Sequence, residues 1–97
     1  MSKFLLSTKA KSDLINIARY TQLNWGTIQR NDYLKVLDST FQFLANEPEL
    51  GVSCDYIRES YKKHPQSSHV IYYKHHKVNQ ILIVRILHKS MDVNSAL

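Results

Sequence analysis

The sequence predicts an α+β fold: an N-terminal strand, then an antiparallel two-helix hairpin packed on a mostly antiparallel sheet that a three-stranded C-terminal meander completes. Three observations predict it. Apolar residues recur at helical spacing from Ala10 to Trp25 and again from Tyr33 to Leu44. The segments His69–His75 and Gln80–His88 are rich in β-branched, aromatic and aliphatic residues. The joints hold turn and cap residues: Ser7-Thr8, Gly26-Thr27, Asn46-Glu47-Pro48 and Lys77-Val78-Asn79. From its length the chain is expected to form one domain, residues 1–97. A chain of this size buries only about 60–65% of the surface its unfolded form exposes, so one thin core is expected.

The first strand is expected at Lys3–Ser7, where Phe4-Leu5-Leu6 is apolar, and Ser7-Thr8 can cap a helix by accepting an otherwise unpaired backbone N–H. In the first helix Ala10, Leu14, Ile17, Ala18, Thr21 and Trp25 share one face, and Gly26 ends it. Thr27 can cap the second helix. There Tyr33, Leu34, Val36, Leu37, Thr40, Phe41, Phe43 and Leu44 spread over an arc of roughly 180°, wider than one contact needs. The helix should therefore pack on both the sheet and the first helix, or offer its remainder to a partner. Asn46-Glu47-Pro48 stops it, and Gly51 marks the turn beyond.

A strand is expected at roughly Ile57–His64, with Ile57, Glu59 and Tyr61 on one face and Arg58, Ser60 and Lys62 on the other. Ile81–Leu87 is apolar on both faces except at Arg85, which predicts a strand inside the sheet with both faces largely covered. Residues 89–97 are a polar tail anchored by Met91 and Val93. The helices are expected on one sheet face, leaving part of the other open.

Composition bounds function more loosely. With 43% hydrophobic and 22% charged residues the chain is ordinary for a folded domain. No apolar run reaches the roughly 18 residues of a membrane span, and the opening apolar stretch is too short for a secretory signal, so no membrane role and a cytoplasmic location are expected. The single cysteine, Cys54, has no internal disulfide partner, and the five histidines lack zinc-like spacing. No metal or cofactor is expected. Thirteen Lys and Arg against eight Asp and Glu give a net charge of +5, which favours a polyanionic or acidic partner.

Arg85 is the first residue to single out, because a guanidinium inside an apolar strand needs an acceptor. Two readings stand: an internal salt bridge to a carboxylate such as Glu59 or Asp92, or a sheet-face arginine that grips a phosphate or a partner carboxylate. Arg58, Lys62, Lys63, His64, His88 and Lys89 could add a basic patch, although Lys62 and Lys63 must point to opposite faces of a regular strand. His88 should likewise project away from Arg85. No phosphate-binding loop, dinucleotide turn, zinc helix or nucleophile elbow is present.

Several segments together resemble the ParE branch of the RelE/ParE toxin superfamily. They are Ala10-x-x-Asp13-Leu14, Trp25-Gly26, Pro48-x-x-Gly51, His69-Val70-Ile71-Tyr72-Tyr73 and, most specifically, Arg85-Ile86-Leu87-His88-x-x-Met91-Asp92. Ser67 departs from the pattern, since many ParE-like chains have glycine before the His-hydrophobic strand.

The resemblance implies a toxin of a type II toxin–antitoxin module, with DNA gyrase as target and a cognate ParD-like antitoxin whose acidic C-terminal tail wraps it. Catalysis is then gyrase's own: no catalytic residue and no sequence-specific nucleic-acid binding are expected. The rival is a ribosome-dependent mRNA endonuclease of the RelE type, which would use Arg58, Arg85 and His88. An inactive relative that only binds antitoxin is a third reading. On the gyrase reading the target-facing candidates are Arg58, Lys62, Arg85, His88, Lys89, Met91 and Asp92. The antitoxin candidates are Ile15, Arg19, Tyr20 and Leu23, which lie off the core stripe of the first helix.

Overall fold

The computed structural model describes residues 2–97. The order is β1 (Lys3–Leu6), α1 (Thr8–Trp25), α2 (Thr27–Asn46), a 3-10 turn (Pro48–Leu50), β2 (Val52–Ser53), β3 (Lys62–Gln66), β4 (His69–Lys77), β5 (Gln80–His88) and α3 (Val93–Ala96). The strands form one sheet in the order β1-β5-β4-β3-β2. β1 pairs with β5 in parallel and every other pairing is antiparallel. The crossover from β1 through the hairpin places β5 inside the sheet, where its apolar character is used on both faces.

Local chemistry sets the helix ends. The Ser7 side chain accepts from the backbone N–H of Ala10 at 3.0 Å, as expected of an N-cap. Gly26 closes α1 by donating its N–H to the Gln22 carbonyl and opens α2 by accepting from the Arg30 N–H. Thr27 is thus the first residue of α2, and Gly26 is its cap. The one-residue joint works because Gly26 sits at φ 94°, ψ 172°, a region essentially reserved for glycine.

The main core lies between the hairpin and the sheet: Leu37, Phe41 and Leu44 of α2 and Ala10 and Ile17 of α1 meet Ile71, Tyr73, Ile81, Ile83 and Ile86. The wide apolar arc of α2 divides accordingly, with Val36 and Phe43 left 43% and 49% exposed. Trp25, expected in the core stripe, is 71% exposed, because it borders an open cleft between the hairpin and the sheet instead of a packed core.

Two other expectations change. Residues 57–61 are not a strand: they belong to a turn-rich segment in which Ile57 N and Arg58 N both donate to the Cys54 carbonyl. Ser60 takes φ 69° there, incompatible with a strand. The tail is also more ordered than expected. Asp92 caps α3 by accepting from Asn94 N at 3.1 Å, and Val93, Ala96 and Leu97 pack on a second small core of Cys54, Tyr72 and Leu87. The sheet face opposite the hairpin is therefore covered at one end and open at the other. Among the described residues no helix is long and apolar enough to cross a membrane, and no cluster of metal-ligating side chains exists.

Candidate functional sites on the hairpin and the sheet

β1 is short, and the consequence is the Arg85 site. It covers β5 only from Gln80 to Ile83, so the later half of β5 presents backbone groups at a free edge. α1 supplies the missing partners. Ser7 N donates to the Ile83 carbonyl, the Ser7 hydroxyl donates to the Val84 carbonyl at 2.6 Å, and Ile86 N donates to Asp13 Oδ2 at 2.9 Å. Pairing with β4 shifts register here, where Tyr72 faces Arg85 and Tyr73 faces Ile83. The resulting irregularity brings the guanidinium to Asp13.

The fork is bidentate: Arg85 Nε donates to Asp13 Oδ2 at 2.8 Å and an Nη to Oδ1 at 2.9 Å. The other Nη donates to the Ala96 carbonyl at 2.6 Å. The side chains of Arg85 and Asp13 are only 18% and 11% exposed. Asp13's hydrogen bonds hold the Arg85 pKa above even its usual high value. The internal salt bridge expected of Arg85 exists, but its partner is Asp13, not Glu59 or Asp92. Alternation along a strand tells which face a side chain takes, not what reaches it around the sheet edge.

A cleft of about 580 Å³ opens between the hairpin and the β4–β5 end of the sheet. Tyr20, Trp25, Tyr33, His69, His88 and Met91 are among its lining residues. The Tyr33 hydroxyl donates to the Gln66 carbonyl at 3.1 Å and lies 2.7 Å from His69 Nδ1. Burial pushes the Tyr33 pKa up, so it stays a neutral donor. His69 and His88 meet edge to face, ring centroids 5.7 Å apart. Burial, then the repulsion of a charged His88, lower the His69 pKa, with Asp13 opposing. His88 Nδ1 accepts from Ser90 N at 3.2 Å. A backbone N–H can only donate, so neutral His88 carries its proton on Nε2.

Sequence reasoning passed over Tyr33 and His69. Periodicity places Tyr33 only on an apolar helix face, and the signal for His69 is its position opening a strand whose partner strand ends in His88.

The structure does not gather the seven target-facing candidates into one patch. His88, Lys89 and Met91 are neighbours at the end of β5. Asp92 caps α3, and Arg58 reaches the same C-terminal end, donating to the Leu97 carbonyl at 2.6 Å. Lys62 stands on the hairpin side of the sheet, because it pairs with core-facing Tyr73, and it bridges Glu49 at 3.3 Å. The shared face expected for Arg58 and Lys62 fails because the strand starts only at Lys62. The four hairpin candidates are all on the surface: Ile15, Tyr20 and Leu23 are 58%, 64% and 80% exposed, and Arg19 is exposed beside them. Trp25 and Ile28, 79% exposed, extend the apolar surface at the hairpin tip.

Comparison with known proteins places this fold. Residues 4–93 match the sequence model of the ParE toxin of type II toxin-antitoxin system, parDE. The chain is 33% identical over 97 residues to Toxin ParE1 of Caulobacter vibrioides, covering 100% of this chain and 99% of the relative. It is 37% identical over 93 residues to Toxin ParE1 of Mycobacterium tuberculosis, covering 96% and 95%. A solved structure described as the chromosomal ParDE TA system from P. aeruginosa superposes with a TM-score of 0.75 at 16% identity, over 91% of this chain and 95% of that one. That likeness carries the fold, and the sequence match carries the family: the chain belongs to the ParE toxins of type II toxin–antitoxin systems.

Proposed function

We propose that this chain binds DNA gyrase and favours the state in which DNA is cut but not resealed, using no cofactor and no bond-making chemistry of its own. The observation that carries the reading is the closed Arg85 fork: its Nε and both Nη groups are committed to Asp13 and the Ala96 carbonyl. A strand arginine spent inside the fold supports a binding role over phosphate chemistry at that position. A toxin of this kind needs only to bind the cut state more tightly than the resealed one, each 1.4 kcal/mol of preference giving about a tenfold shift. The contact surface on this reading is the turn His88, Lys89, Met91 and Asp92, with Arg58 set apart from it at Leu97. The site of action is the bacterial cytoplasm.

A ParD-like antitoxin is the second partner. The exposed apolar side chains of Ile15, Tyr20 and Leu23 with Arg19 support a helical-hairpin seat for it, since a cluster of large exposed apolar groups marks an interaction surface. An acidic tail extending from that seat would meet the chain's net charge of +5.

The test uses purified chain with gyrase, ATP and plasmid, following supercoiling and protein-linked DNA breaks, beside a translating-ribosome assay for mRNA cutting. The expected result is accumulated gyrase-linked breaks with intact mRNA. The ribosome-dependent endonuclease reading rests on one observation, Tyr33, His69 and His88 gathered at the cleft. It replaces the gyrase reading if mRNA is cut and gyrase is untouched. Antitoxin binding with neither activity would identify an inactive relative.

A further inference from the structure

The positive charge of this chain is concentrated in its sheet. Among the described residues the five strands carry Lys3, Lys62, Lys63, Lys74, Lys77 and Arg85, six of the 13 cationic residues, and none of the 8 acidic ones. Strands disfavour lysine as well as aspartate and glutamate. Propensity therefore accounts for the missing carboxylates but not for the lysines. Outside the strands, seven cations face eight acids, so the sheet is the source of the net charge.

Lys62 and Arg85 are occupied by Glu49 and Asp13. Among the described residues no ion pair engages the other four. Register puts those four on one face, the face turned away from the hairpin. Lys63 is opposite Tyr72, Lys74 opposite Leu82, and Lys77 and Lys3 are both opposite Gln80. Leu5, 44% exposed and also opposite Leu82, lies among them. Going from β3 to β1 crosses three strand spacings, about 14–15 Å. α3 packs on the Tyr72–Leu87 end of this face, and the Cys54–Tyr61 segment runs beside Lys63 and Lys74.

Two aromatic rings stand beside the lysines. Lys63 Nζ is 5.6 Å from the Tyr56 ring centroid, and Lys74 Nζ is 5.6 Å from that of Tyr61. Tyr56 is 74% exposed.

We infer that this half-face binds the phosphate backbone of single-stranded DNA without sequence preference, Lys3, Lys63, Lys74 and Lys77 taking phosphates and Tyr56 and Tyr61 taking base faces. Ammonium groups tracking a backbone beside aromatic rings that stack on any base are the chemistry of non-specific single-strand binding. An acidic peptide would use the lysines and leave the rings idle. The inference rests on the gyrase reading for its biological setting, because a gyrase holding cut DNA offers such a strand to a bound toxin. Its test contains no gyrase, so the two stand or fall separately.

Binding of a labelled single-stranded oligonucleotide is measured by fluorescence anisotropy between about 50 and 200 mM salt. The proteins are the parent chain, the triple variant Lys63→Gln, Lys74→Gln, Lys77→Gln, and a charge-matched helix variant Lys9→Gln, Lys11→Gln, Lys35→Gln. The expected result is salt-dependent binding by the parent, a log–log salt slope about 2 units shallower in the strand variant, and an unchanged slope in the helix variant. Photo-cross-linking of the parent chain to a bromouracil-substituted oligonucleotide, which needs no variant to fold, should mark Tyr56 and Tyr61. Equal losses in both variants, no binding at the lowest salt, or cross-links confined to the hairpin overturn the proposal. So does a strand variant that loses only polyglutamate binding, which assigns the face to an acidic protein segment.

Discussion

Asp13 holds more of the fold than its single charge suggests. Its carboxylate takes two hydrogen bonds from Arg85 and one from the backbone of Ile86, tying α1 to the unprotected half of β5. Removing one member of a largely buried ion pair costs about 3–5 kcal/mol, because the other charge is left unpaired. Asp13→Ala is expected to lose stability in that range in urea unfolding. Arg85→Ala should lose less, since Asp13 keeps its bond to Ile86. The double variant Asp13→Leu, Arg85→Met should recover much of the loss and keep gyrase-linked cleavage if Arg85 acts only within the fold. Persistent loss of cleavage in that folded variant would return Arg85 to the target surface. His69 adds a pH dependence of known sign. Its folded pKa lies below the unfolded value of about 6.5, so its contribution is fully present above that pH. The contribution is lost as pH falls, when the unfolded chain takes up a proton the folded one resists. Urea midpoints measured from pH 8 to pH 5 should fall more steeply for the parent than for His69→Gln. Identical slopes would remove His69 from the account. The need for an Arg85 acceptor was legible in the sequence, because an arginine among Val84, Ile86 and Leu87 must be paired. Its identity was not, since Asp13 lies 72 residues upstream and is brought in by a parallel pairing that no local pattern encodes.

At the scale of elements, the two glycines are needed for different reasons. Gly51 has an ordinary φ of −65°, but its N–H donates to the Tyr73 hydroxyl at 2.8 Å, which in turn donates to the Pro48 carbonyl at 2.8 Å. A Cβ there would collide with the buried Tyr73 hydroxyl and ring. Gly26 has open space around it and a positive φ. Both alanine variants are therefore expected to destabilise by about 1–3 kcal/mol, Gly51→Ala through overpacking and Gly26→Ala through backbone strain. Tyr73→Phe should relieve part of the Gly51→Ala clash while doing nothing for Gly26→Ala, a difference that a double-mutant cycle reads directly. Helix periodicity made both long helices and their joint legible, and β-branched runs did the same for β4 and β5. The segment before β3 misled because Ile57, Glu59 and Tyr61 alternate as a strand would, while hydrogen bonds to the Cys54 carbonyl wind the chain into turns. α3 escaped notice because four residues are too few to show a period.

Across the whole molecule, the layering sets two surfaces apart. The hairpin covers one sheet face and exposes Ile15, Leu23 and Ile28 outward, whereas the net positive charge belongs to the sheet. An apolar seat for the antitoxin on the first and a target contact at the His88–Met91 turn can then be weakened independently. A single hot-spot side chain in an interface carries about 2 kcal/mol or more, so Ile15→Ser with Leu23→Ser, removing at least one such anchor, should weaken antitoxin binding by roughly 30-fold or more. The same protein should still produce gyrase-linked breaks at the parent level, because neither side chain lines the cleft that His88 and Met91 border. Lys89→Ala with Met91→Ala should do the reverse, lowering gyrase-linked cleavage while antitoxin affinity holds. Arg19→Glu should slow antitoxin association most at low salt, where attraction to an acidic tail acts over the longest range. If either double variant lowers both activities in a chain that remains folded, the two partners share one surface, and neutralisation works by direct competition.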